Sequence, residues 1–264
     1  MGLINNPGKI TTGEIAYKGA DILKMTPDEL RSYRWKEVSM IFQSAMNSLN
    51  PVKRSADHIT EVIRDHSKKS RSEARETALR LLSEVGIEKD HADDFPHELS
   101  GGMRQRVVIA LALALSPKLI IADEPTSALD VVVQKQILAL LKREISERGL
   151  SLIFITHDLP ILAGLVDYIS VMFAGEIVEY GEAEDIFKTP LHPYTEALLS
   201  SLLTLDSKEN PRSLSELRET HKPVASVGCK YQNRCRYAFD RCKTERPMLL
   251  EAETGRMVAC HKYS

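Results

Sequence analysis

Thirty-two residues constrain this chain more than any others, from Leu99 to Asp130. They read Leu99-Ser-Gly-Gly-Met-Arg-Gln-Arg106, then an apolar helical run, then Leu119-Ile-Ile-Ala-Asp-Glu-Pro-Thr-Ser-Ala-Leu-Asp130. A Ser-Gly-Gly turn that opens a helix leaves backbone N–H groups free, and such groups suit a phosphate. Leu119 to Ala122 is an apolar run of strand length, which predicts a buried parallel strand, and α/β sheets place ligands at the carboxyl ends of such strands. Asp123 and Glu124 stand at that end. A phosphate-type turn followed by paired carboxylates points to chemistry on a magnesium–nucleotide. Read alone, the acidic pair fits a helix N-cap equally well.

The same logic extends along the chain. Val38 to Phe42 predicts a strand that delivers Gln43 to a loop, Ser44 to Pro51. Leu152 to Thr156 predicts a second buried strand with His157-Asp158 at its tip, and Gly149 closes the long amphipathic helix before it. Ser70-x-x-Glu73 is a capping box, followed by an apolar stripe of Ala74, Ala78, Leu81, Leu82 and Val85. The basic residues Lys68, Lys69, Arg71, Arg75 and Arg80 read as a solvated helix face. Tyr168 to Phe173 and Glu176 to Tyr180 predict a hairpin turned at Ala174-Gly175. Helices follow at Glu182 to Lys188 and from His192-Pro-Tyr-Thr195 to about Leu205, and Gly13 to Gly19 reads as an edge strand. Residues 1 to 8 look like the end of a helix entering a turn. Strands alternating with helices, then an antiparallel edge, define a layered α/β domain.

Taken in order, these segments resemble the motif set of ABC-type ATPases. Gln43 matches the Q-loop glutamine, Leu99 to Arg106 the signature, Leu119 to Glu124 the Walker B strand, Ser127 to Asp130 the D-loop and His157 the switch histidine. The resemblance implies a P-loop NTPase-like α/β fold with a helical subdomain over about 52–116 and a small cysteine-rich C-terminal region. It implies that Asp123 holds Mg²⁺, that Glu124 acts as general base on the attacking water, and that Gln43 and His157 complete the catalytic set. Ser100, Gly101, Gly102 and Asp130 would bind ATP, the signature turn serving the nucleotide of a second ABC ATPase subunit. His192-Pro-Tyr-Thr-Glu-Ala-Leu198 and the cysteine-bearing tail narrow the resemblance to the oligopeptide/dipeptide importer subfamily, which also serves nickel and some sugars. Residues 1–205 then form the ATP-binding domain and 206–264 the C-terminal region. The implied partners are two membrane permease subunits and, indirectly, an extracytoplasmic solute-binding protein.

All four cysteines lie in that tail, as Cys229-x5-Cys235-x6-Cys242-x17-Cys260. In a reducing compartment such clustering favours metal over disulfides. The uneven gaps differ from the Cys-x2-Cys knuckles of structural zinc and are compatible with an iron–sulfur cluster. The subfamily resemblance implies a 4Fe–4S cluster; zinc and unligated thiols remain open alternatives. His261 reads as a bystander.

One motif is missing. Gly-x4-Gly-Lys-[Ser/Thr] does not occur: Gly8-Lys9 is followed by Ile10 where a hydroxyl is needed, and Leu3 stands in the place of the first glycine. The expectation is an N-terminally truncated domain, or one started at the wrong Met, whose sheet lacks a strand and has exposed edges. A rival reading from another class is a non-catalytic pseudo-ATPase that lends its signature turn to a partner. The bulk figures fit either: 43% apolar, 27% charged and a net charge of −2 give no nucleic-acid-binding signal, and no run is long enough to span a bilayer. The expected location is the cytoplasmic face of the membrane, held peripherally by partners.

Overall fold

The computed structural model describes residues 1–4, 7–43, 48–206 and 223–264, with the side chains of 201–206 left out. The expected loop residues 44–47 and linker residues 207–222 lie outside the described residues. Two compact units divide between His157 and Asp158.

The first unit is built on a parallel sheet of β3 (Val38–Ile41), β4 (Leu119–Asp123) and β5 (Ser151–Ile155), in that order. Before it, β1 (Ala16–Tyr17) and β2 (Ala20–Asp21) form a small antiparallel pair. The edge strand expected over Gly13 to Gly19 is therefore a tight hairpin. Lys18 and Gly19 both take positive φ, 48° and 81°, as a type I′ turn requires. The helix end expected at the start is not there: residues 1–4 are irregular. The Arg34 guanidinium instead holds the Met1 carbonyl, at 2.7 Å from Nη2.

Among the described residues this unit has the α-helices α1 (Pro27–Tyr33), α2 (Ser55–His66), α3 (Arg71–Glu84), α4 (Gly101–Leu113) and α5 (Val131–Arg148). Capping explains their starts. Thr26 and Ser70 each make a full capping box, with Glu29 and Glu73. Asp130 accepts from Val132 and Val133 N–H, both at 3.0 Å, and opens α5. Termination is equally local. α4 stops short of the expected Leu115 because Ser116 precedes Pro117, a position that disfavours helix, and takes φ 50°. Gly149 closes α5 at φ 60°.

One large core unites the sheet with α2 to α5, and a smaller cluster of Ile22, Tyr33 and Val38 holds α1. The predicted α3 stripe is buried, and Ile59, Leu82, Ile109, Leu113, Ile120, Ile137 and Leu141 are among its most enclosed side chains. Each contributes roughly 1.5–3 kcal/mol of burial free energy. β5 differs: among the described residues it pairs only with β4, and Ile153 and Ile155 are 49% and 47% exposed.

The second unit holds a four-stranded antiparallel sheet of β6 (Tyr168–Phe173), β7 (Glu176–Glu182), β9 (Arg256–Val258) and β8 (Leu250–Glu253), in that order. The expected hairpin is present, but its partner is the chain's C-terminal hairpin, not an edge of the parallel sheet. Helices α6 (Ala183–Lys188), α7 (Pro193–Asp206) and α8 (Asp240–Thr244) complete the unit. Among the described residues no helix is long and apolar enough to cross a membrane.

Candidate functional site

Parallel pairing sets the site. Asp123 ends β4 opposite Ile155 of β5, so the next residue of each strand leaves the sheet at one tip. Glu124 turns there with φ 45°, a left-handed conformation that costs a non-glycine residue of order 1–3 kcal/mol. Its N–H donates to the Ile155 carbonyl at 2.9 Å, and its own carbonyl accepts from the Ser127 hydroxyl at 3.2 Å. The strain aims the carboxylate at two side chains. Gln43 Nε2, just past β3, donates to Oε2 at 2.9 Å. His157 Nδ1, just past β5, lies 2.8 Å from Oε1. Three strand tips thus converge on one acid, at sequence separations of 81 and 33 residues.

A carboxylate only accepts, so Nδ1 of His157 is the donor in this contact. In the neutral ring Nε2 then carries no proton. Glu124 is partly sheltered, its side chain 21% exposed, whereas that of His157 is 77% exposed.

The signature turn lies elsewhere in the same unit. Ser100 caps α4, its hydroxyl accepting from Met103 N–H at 3.3 Å, and Gly101 and Gly102 begin the helix. A Cβ on Gly102 would sit 2.7 Å from Val133 Cγ1, so helix packing against α5 by itself requires glycine there. The Asp130 carboxylate is engaged in capping α5. The structure therefore gathers Gln43, Glu124 and His157 into one cluster and gives Gly102 and Asp130 structural work at the start of α5.

The second unit gathers all four cysteines. Cys229, Cys235, Cys242 and Cys260 line one small cavity together with His192, Tyr231, Phe239 and His261. None forms a disulfide. Burial pushes the thiols of Cys229 and Cys260 up and that of Cys235 up to about 11, while backbone N–H groups oppose the shift. Those N–H groups come from Tyr231 and Gln232 to Cys229, Tyr237 to Cys235 and Lys262 to Cys260. Gly228 makes the approach possible. At φ 70° a Cβ there would lie 2.3 Å from the Cys242 carbonyl oxygen, which accepts the Cys229 N–H at 2.8 Å. Among the described residues no group of three or more His, Cys, Asp or Glu is arranged to hold a metal ion. His261 Nε2 contacts the Glu245 carbonyl at 2.9 Å, which ties the C-terminus to α8.

Sequence reasoning missed the frame around this cavity. Glu179, within the strand predicted over Glu176 to Tyr180, and Arg256 are buried, 3.5 Å apart. Glu179 accepts from the N–H groups of Leu191 and His192 at 2.7 and 3.0 Å and so fixes the turn into α7. Burial lowers the His192 pKa to about 4, so its ring is neutral near pH 7.

A P-loop-type α/β sheet with a glutamine, a glutamate and a histidine at its strand tips defines an ATP-binding cassette. The ABC transporter family profile matches residues 1–127, and that for the oligopeptide/dipeptide transporter C-terminal region matches residues 178–242. The oligopeptide transport ATP-binding protein AppD of Bacillus subtilis is 42% identical over 266 residues, covering 100% of this chain and 81% of AppD. The dipeptide transport ATP-binding protein DppD of Escherichia coli is 43% identical over 264 residues, covering 99% and 80%. Among solved structures, the dimeric post-hydrolysis ATP-binding cassette MJ0796 bound to ADP and Pi is similar, with TM-score 0.59 and 31% identity over 66% of this chain and 74% of that one. This chain belongs to the ATP-binding subunits of ABC transporters, in their oligopeptide/dipeptide branch.

Proposed function

We propose that this chain hydrolyses ATP to drive peptide import through an ABC transporter, with Glu124 as the general base. The observation that carries the assignment of roles is the Gln43–Glu124–His157 cluster at the tips of three parallel strands. Glu124 accepts the proton of the attacking water, and Gln43 keeps the carboxylate oriented toward it. His157 donates to the γ-phosphate; with Nδ1 on Glu124 it does so through Nε2 as an imidazolium, or after it releases the acid. Asp123, one residue before the base, would hold Mg²⁺, whose charge offsets that developing on the phosphate oxygens. Ser100, Gly101 and Gly102 offer helix-opening N–H groups to the nucleotide of a second ATPase subunit, as suits a relative seen as a dimer. Permease subunits in the membrane hold the chain peripherally near Gln43 to Pro51, and a solute-binding protein acts through them.

The 264 residues contain no Gly-x4-Gly-Lys-[Ser/Thr]. The free edge of β5 and its exposed Ile153 and Ile155 suit one more parallel strand, and a strand leading into a P-loop fits that place. The test supplies such a P-loop and compares Glu124 with Glu124→Gln. The variant keeps ATP binding and loses turnover by about 10²-fold or more, within the range of general-base contributions. Brisk hydrolysis by Glu124→Gln sinks the assigned role. Failure of the complemented chain to bind ATP favours the rival, a pseudo-ATPase that only completes a partner's site.

For the cysteines we propose a 4Fe–4S cluster. Four thiols facing one cavity, with backbone N–H groups directed at three of them, suit thiolate ligands. A single zinc, at about 2.3 Å from each sulfur, draws its four ligands closer together than a polynuclear cluster does. Bound there, the cluster would cross-link the C-terminal segment. Anaerobically purified protein is expected to be brown and to contain iron; colourless protein with stoichiometric zinc refutes the assignment.

A further inference from the structure

His58 is 9% exposed, in the first turn of α2, and main-chain atoms occupy both nitrogens of its ring. Nε2 lies 2.9 Å from the Asn50 nitrogen, and a backbone N–H only donates, so Nε2 is the acceptor. Nδ1 lies 2.9 Å from the Arg54 carbonyl oxygen, which only accepts, so Nδ1 carries the single proton. The two contacts fix one neutral tautomer. They also join α2 to the segment that follows Gln43. Asn50 forms a turn there, accepting through Oδ1 from Val52 N–H and through its carbonyl from Lys53 N–H, both at 3.1 Å, and Leu49 beside it is buried in the core. Asn50 itself is exposed, so among the described residues the His58 ring alone shields its N–H.

An imidazolium donates from both nitrogens. At this place it sets one N–H against another, and among the described residues no carboxylate oxygen accepts from the ring to hold it there. The charged groups around the turn are engaged with other partners. Lys53 pairs with Glu61, Arg75 of α3 with Asp57 and Asp93, and His91 with Asp94. The Arg54 guanidinium donates to the Asp93 carbonyl, and Arg106 of α4 to that of Val85. The start of α2 has separate anchors, since Ser55 and Ala56 N–H donate to the carbonyls of Asp94 and Ala92 at 3.0 and 2.9 Å.

We infer that His58 is a positioning residue: its neutral ring latches the Asn50 turn to α2, and protonation of the ring opens that latch while α2 stays anchored. The latch stands on these contacts alone; its bearing on permease binding rests on the function proposed above.

The test follows the full chain by NMR over a pH series, reading the His58 ring nitrogens and the exchange protection of the Asn50 and Ala56 amides. At neutral pH the ring is expected as the Nδ1–H tautomer. On acidification Asn50 protection is expected to fall about tenfold or more, the scale of one hydrogen bond, in step with ring protonation and with Ala56 unmoved. His58→Gln, whose amide oxygen accepts without titrating, keeps the protection across the series, whereas His58→Leu lacks it throughout. His91 is intact in both variants, so the comparison isolates one ring. If His58→Leu does not fold, wild type against His58→Gln decides the matter. Asn50 protection that survives ring protonation, falls equally in His58→Gln or is lost together with that of Ala56 overturns the latch. Binding to a reconstituted oligopeptide/dipeptide-type permease pair is expected to weaken on acidification in wild type and not in His58→Gln. Binding at neither pH counts against the permease contact and leaves the latch in place.

Discussion

At Glu124 the backbone stores strain and the side chain uses it. The left-handed turn is held by the Ile155 carbonyl and by Ser127, and it sets the carboxylate between Gln43 and His157. Glu124→Gly would relieve the strain and abolish the chemistry. It is therefore expected to raise thermal stability, or leave it unchanged, while eliminating hydrolysis by the P-loop-complemented chain. A calorimetric scan paired with a phosphate-release assay checks both halves. Gly228 sits at the opposite extreme. Gly228→Ala puts a Cβ into the Cys242 carbonyl at 2.3 Å and forces an L residue to φ 70°. The cost is expected to exceed about 2 kcal/mol, and the measurable result is a destabilised second unit with the first unit's unfolding transition preserved.

Among the elements, α3 offers the cleanest account. Ser70 and Glu73 satisfy each other's backbone donors, so Ser70→Ala is expected to cost about 1 kcal/mol by urea denaturation. The same box carries a pH dependence. Hydrogen bonds from Ser70 hold the Glu73 carboxyl below its ordinary value of 4.5. A depressed folded-state pKa means that the unfolded chain binds the proton first on acidification. The contribution of Glu73 is thus complete above pH 4.5 and is lost as pH falls through the lower, folded-state value. Glu73→Gln should flatten that part of the stability profile, and an unchanged acid limb in the variant would count against it. Caps and stripes of this kind were readable in advance because they are local: Ser70 and Gly149 do what their residue types predict. What could not be read was long-range. Nothing near Glu179 in sequence announces Arg256, and Gly102 needs Val133 beside it before its missing side chain is explained by packing. Gln43, Glu124 and His157 were each found at a predicted strand tip, but only the parallel register of β3, β4 and β5 brings them within hydrogen-bonding distance. The C-terminal hairpin was hidden for a similar reason, since β9 finds β7 across some 75 residues of chain.

For the molecule as a whole, two units of different construction are joined at His157. The first buries a large core of sheet and helices α2 to α5 with a smaller cluster of Ile22, Tyr33 and Val38, while the second depends on a four-stranded sheet and a cysteine-lined cavity. If the proposed cluster is bound, iron removal is expected to lower the melting temperature of the second unit and leave the first nearly unmoved, which domain-resolved hydrogen exchange would reveal. β5 carries a different consequence. Backbone hydrogen bonds along a sheet edge do not depend on how the added strand is tethered, so a P-loop-bearing fragment produced as a separate polypeptide could assemble onto Ser151–Ile155. The cassette would then function as a split protein, switched on by mixing its two pieces.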